Sequence, residues 1–198
     1  EPVFQERPVV VRSSAVGEDA SNSSFAGIHE SYVNVRGTEA ILDHIKLVWA
    51  SLWSDAAMLY RKELGLTVEE SAMAVVVQAM IPGQRSGVAF GINPNESTQA
   101  VIEAVHGLNQ GLVDGSVEPD RWILDRITGS VLSHHEPIRH KVAVLSPEGV
   151  SLEPLASERG QNPPLSSQEL SQVFSLARRA EDIFGSPQDV EWTFEGRE

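Results

Sequence analysis

An arginine closes the apolar run Val9-Val10-Val11-Arg12, and a stretch of Ser, Ala, Gly and acidic residues then leads to Ser24-Phe25-Ala26-Gly27. A guanidinium at a strand end can grip two phosphate oxygens at once, and small residues let backbone N–H groups come close to a polyphosphate. The same residues also describe a surface loop beside a salt-bridged arginine, and the pattern alone leaves both readings open. At the other end of the chain, Asp189-Val190-Glu191-Trp192-Thr193-Phe194 alternates polar and apolar residues. On a strand this puts Val190, Trp192 and Phe194 on one face and Asp189 with Glu191 on the other, about 7 Å apart. Two carboxylates so placed can approach one or two Mg2+ ions, although acids at this spacing also occur on solvated strands. Glu103 and Asp120 are weaker candidates, the Pro119-Asp120 pair being explained by a turn. Arg139 and Lys141 read as solvated charge. No histidine pair has the spacing of a zinc helix, and none of the six histidines is assigned catalysis.

These residues need elements to hold them. Ile41, Ile45, Val48, Trp49, Leu52, Ala56 and Leu59 recur at helical steps, so one helix is expected over residues 38–64, stopping at Gly65. Trp49, Trp53 and Tyr60 are read as core on that helix. Residues 73–81 read as a strand buried on both faces, with Gln78 its one strongly polar residue. Further strands are expected at 86–90, 100–105 and 122–125, and a hairpin within 130–144. Residues 145–164 read as a surface connector. Ser166 with Glu169 makes a capping box, opening an amphipathic helix that ends at Gly185. Strands punctuated by Gly and Pro, with two long helices, give an α+β fold and a mixed or antiparallel sheet.

The chain has 198 residues, 41% of them hydrophobic, no cysteine and a net charge of −13. This suits a packed globular protein and argues against a nucleic-acid surface. Without cysteine there is no disulfide or thiolate metal site, which fits a reducing cytoplasm. No apolar run approaches the ~20 residues of a membrane helix. The chain opens on Glu1, almost on a core strand, which suggests a piece of something larger.

One resemblance ties the chemistry together. Val11-Arg12-Ser13-Ser14-Ala15, Glu18-Asp19, Ser24-Phe25-Ala26-Gly27 and Tyr32-Val33-Asn34-Val35 stand in this order and spacing. The stretch resembles the signature of the nucleotide-binding domain of the phosphoenolpyruvate synthase and pyruvate phosphate dikinase family. The likeness runs through weaker motifs to the end of the chain. It implies a fragment of a single ATP-grasp domain, with lobes of roughly residues 1–72 and 73–198 and the nucleotide between them. It assigns Arg12 to the ATP phosphates as the catalytic cation, with the backbone of Gly27 and the hydroxyl of Ser31 beside it. It makes the strand with Gln78 and Met80 the adenine hinge, and Asp189 and Glu191 the metal side, Glu191 also touching nucleotide. ATP and Mg2+ are the implied cofactors. The implied partners are phosphohistidine and pyruvate-binding domains of the same parent chain, in the cytoplasm, without nucleic acid or membrane. A rifamycin-type antibiotic phosphotransferase of the same architecture is the alternative, and a non-catalytic nucleotide-binding regulatory module a third reading. The loop over residues 13–27 is expected to be mobile, with Phe25 packing on closure. Gly91 and Asn93 depart from the Thr and Asp usual in relatives.

Overall fold

The valines of residues 9–11 and the arginine after them alternate in burial, and that alternation starts the fold. The computed structural model describes residues 7–15, 28–63, 65, 71–146 and 149–196. The positions expected to form the phosphate loop from 16 to 27, Phe25 and Gly27 among them, lie outside the described residues. Contacts divide the chain into two units, Glu1–Met80 with Ser146–Gly149, and Ile81–Leu145 with Val150–Glu198.

In the first unit, β1 (Val9–Ala15) is the middle strand of a three-stranded antiparallel sheet, with β2 (Tyr32–Val35) on one side and β3 (Met73–Ala79) on the other. Residues 13–15, expected in the loop, continue β1. The β1–β2 register slips by one residue between Val9 and Val11, and Asn34 opposite this irregularity takes a φ of 58°. Asparagine enters this left-handed region at little cost. One face of the sheet packs against α1 (Thr38–Ser51), where Val9, Val11, Val35, Ile41 and Val48 form the core. Each such side chain removed from water contributes about 1.5–3 kcal/mol.

Three expectations fail here. The single helix is two, because α1 ends at Ser51 and α2 (Asp55–Glu63) starts after Ser54, whose hydroxyl accepts from the Ala57 N–H at 3.2 Å. Trp49 and Trp53 are not core: they are 51% and 56% exposed, while Tyr60 is half-buried. Helix α1 covers a narrow sheet with one flank; Trp49 lies on the next flank round, and Trp53 stands in the turn beyond the helix end. Nor is β3 buried on both faces. Its burial alternates, with Ala74, Val76 and Gln78 exposed, because only one face of the sheet carries a helix. Pairing with β1 from Ala15↔Met73 to Val9↔Ala79 also ties β3 to the first unit, so the division falls after Met80 rather than after residue 72.

The second unit holds a five-stranded antiparallel sheet in the order β10-β4-β5-β6-β7. Its strands are β4 (Arg85–Phe90), β5 (Gln99–His106), β6 (Asp120–Asp125), β7 (Val131–His135) and β10 (Asp189–Phe194). A short helix, α3 (Gln110–Val113), sits between β5 and β6. The expected hairpin over 130–144 does not form. β7 pairs with β6, and β8 (Lys141–Ser146) pairs with β9 (Gly149–Pro154), so the supposed connector contains a strand and the one-turn helix α4 (Ser157–Gly160). Helix α5 (Ser167–Phe184) begins with the expected capping box and ends at Gly185 with φ 74°. It packs Leu170, Val173 and Ala177 onto Ile102, Trp122, Leu124 and Trp192. Gly87 makes room for Trp192: a Cβ there would lie 2.5 Å from the indole and 2.0 Å from the Glu103 carbonyl.

Candidate functional site

In the first unit the sheet face turned away from α1 carries polar chemistry. Arg12 is exposed and pairs across with Val76, while Gln78 is exposed and pairs with Val10. Directly paired residues of an antiparallel ladder share a face, so Arg12 and Gln78 are diagonal neighbours about 7–8 Å apart. Val10 and Val76, the latter 45% exposed, lie between them. Ser31 is exposed and immediately precedes Tyr32, the partner of Val11, which sets it beside Arg12 across the β1–β2 pair. Met80 is half-buried and donates its N–H to the Pro8 carbonyl at 2.9 Å. Proline has no N–H to return, so the Met80 carbonyl lacks the donor that an antiparallel ladder would give it.

In the second unit β10 alternates as expected. Trp192 is buried, Val190 and Phe194 are half-buried against α5, and Asp189, Glu191 and Thr193 are exposed on the opposite face. Asp189 is exposed by surface area, yet the protein around its carboxyl withholds enough water to raise its pKa above the usual value. A cation would reverse that effect. Glu191 shares a row of the ladder with Val88, Glu103 and Arg121, and Arg121 Nε lies 3.5 Å from the Glu103 carboxylate. Among the described residues no group of three or more His, Cys, Asp or Glu forms a metal cage. That is no obstacle to Mg2+, which is usually held by one or two carboxylates together with phosphates and water.

Two departures from the family pattern have structural work. The Gly91 N–H donates to the Gln188 carbonyl at 3.0 Å, and an added Cβ would crowd that same oxygen. Asn93 is buried, accepting from the Asn95 N–H at 3.1 Å and donating to Gln99 at 2.9 Å, which holds a turn.

Sequence reasoning missed the most buried charge cluster. Asp120, 1% exposed, takes two hydrogen bonds from Arg139 and one from His134 Nε2 at 2.8 Å. The His134 ring stacks on Trp122 at 4.3 Å. So Arg139 is no solvated charge and Asp120 is more than a turn residue. Their separation of 19 positions left no local signal. His106 is buried close by, with Nε2 3.1 Å from the Asn162 carbonyl, and burial pushes its pKa down. The pocket lined by His106, Asp120, Arg139 and Lys141 is about 30 Å3, far too small for a nucleotide.

The architecture is α+β and ATP-grasp-like. The family model of the pyruvate phosphate dikinase AMP/ATP-binding domain matches residues 2–198, and the chain belongs to that family. It is 38% identical over 95% of its length to an Archaeoglobus fulgidus protein named "Probable phosphoenolpyruvate synthase". It is 35% identical over 96% of its length to the phosphoenolpyruvate synthase of Aeropyrum pernix. A rifampicin phosphotransferase of Streptomyces sviceus is 38% identical over 92% of the chain. The chain spans only 25%, 27% and 21% of these relatives. No helix among the described residues is long and apolar enough to cross a membrane.

Proposed function

We propose that the chain binds ATP with Mg2+ as the nucleotide-binding part of a phosphoenolpyruvate synthase-like dikinase in the cytoplasm. There it positions ATP for phosphoryl transfer to a histidine on a separate domain of the parent protein, and from there to pyruvate. The observation that carries this reading is the exposed face of the first sheet, where a cation and an amide flank two valines. Arg12 binds the phosphates, and its permanent charge stabilises the charge that develops on the transferred group. Ser31 and the backbone of Gly27 add hydrogen bonds to phosphate oxygens. Val10 and Val76 lie under the base, while the Gln78 amide and the Met80 carbonyl read its edge. Asp189 and Glu191 hold Mg2+, whose charge offsets that of the phosphates when bound.

Titration calorimetry of ATP, with and without Mg2+, tests this. Arg12→Ala removes a charge-assisted contact of about 1.5–3 kcal/mol and should weaken binding about ten- to a hundredfold. Glu191→Gln should chiefly blunt the Mg2+ dependence. Unchanged ATP affinity in Arg12→Ala would remove the basis for the assignment. The 198 residues alone are expected to bind weakly and to transfer no phosphate. Similarity to the Streptomyces protein supports a second reading, in which the final acceptor is a rifamycin. Assaying the parent protein with pyruvate and with rifampicin separates the two.

A further inference from the structure

The first sheet ends at β3 with a backbone edge that the described residues leave unpaired. Because the Met80 N–H bonds to Pro8, the ladder directs the backbone groups of Ala74, Val76 and Gln78 toward β1. Those of Met73, Val75, Val77 and Ala79 point the other way. One of these outward groups is capped already, since the Trp49 indole donates to the Met73 carbonyl at 3.1 Å. Trp49 thereby marks the flank of α1 that lies over this edge. Leu42 and Trp49, seven residues apart, follow one another on that flank, and Trp53 stands in the turn just past the helix end. They are 52%, 51% and 56% exposed. An open strand edge beside an exposed aromatic stripe invites pairing with another chain, and native proteins seldom leave one uncovered.

We infer that this edge takes one further β-strand, contributed by a segment of the parent protein outside these 198 residues. The backbone spacing selects the occupant's chemistry: outward N–H and C=O groups at every second residue match an extended peptide. The alternate side chains of such a peptide would lie against Leu42, Trp49 and Trp53. The parent protein is favoured as its source because relatives of this chain are about four times as long. A second copy is disfavoured because each carries a net charge of −13. The inference does not rest on the nucleotide reading, since it uses the strand's edge and the helix flank rather than the face with Arg12 and Gln78.

Hydrogen exchange measured without nucleotide on the parent protein and on the 198-residue chain tests it. The Val75 and Val77 amides should exchange at least about a hundredfold more slowly in the parent. Equal rates in both would overturn the proposal. So would protection that appears in the short chain and rises with its concentration, which would assign the edge to a second copy. Trp53→Glu gives an independent readout: it should leave the melting temperature of the short chain nearly unchanged and lower that of the parent by several degrees. Equal small effects in both would also count against a covered flank. Failure of the Arg12→Ala titration would leave these results untouched.

Discussion

The four tryptophans divide evenly between the two units and meet opposite fates. Trp122 and Trp192 in the second unit are 5% and 8% exposed, whereas Trp49 and Trp53 in the first are 51% and 56% exposed. All four belong to regular elements or their ends. The difference lies in what each helix has to cover. Helix α5 lies on a five-stranded sheet, broad enough to enclose two indoles. Helix α1 lies on three strands, and Val9, Val11 and Val35 already fill the space beneath it. Helical spacing tells which residues share a flank, but the width of the opposing sheet decides how many flanks are buried.

The largest expected effect tests the buried half of this contrast. Trp192→Ala should cost about 3–5 kcal/mol by urea unfolding, as removal of a large core aromatic does. A loss below about 1 kcal/mol would mean that the second core does not depend on the indole it encloses. A smaller effect concerns how the two helices begin. The Glu169 carboxylate is buried, which by itself would raise its pKa. The Ser166 N–H, the Arg85 guanidinium and the Ser166 hydroxyl outweigh that and hold it at about 2, below the ordinary 4.5. A depressed carboxyl pKa stabilises the fold above the unfolded value and loses that contribution as pH falls through the folded one. Stability of the second unit should therefore decline between about pH 4.5 and pH 2, and Glu169→Gln should flatten that limb in thermal melts. Helix α1 starts at Gly37 without any side-chain cap, so its start has no counterpart to this transition. The smallest effect is at the exposed indole. Trp53→Ala should change the stability of the 198-residue chain by no more than about 0.5 kcal/mol. A loss as large as that of Trp192→Ala would erase the contrast.

Features encoded over a few residues were legible in the sequence. The Ser166–Glu169 capping box, the Gly185 stop and the alternation of β10 all appear where the local pattern put them. Features that depend on partners distant in the chain were not. The exposed side of β3, the pairing of β7 with β6, and the burial of Arg139 against Asp120 follow from contacts that no short window contains. For the candidate site, the register of β1 with β3 brings Arg12 and Gln78 to one face, a juxtaposition that neither segment reveals alone.

Gly87 fixes more than the fit of one indole. β10 and β4 are antiparallel, and a slide of two residues between them would keep every side chain on its proper face. Alternation therefore cannot tell the native alignment from that slide. The notch can, because two positions along β4 from Gly87 stand Arg85 and Ala89, both with a Cβ where Trp192 needs open space. A glycine on the covered side of the sheet thus sets the longitudinal address of Asp189 and Glu191 on the other side. A side chain introduced at position 87 would act at a distance, moving two carboxylates it never touches.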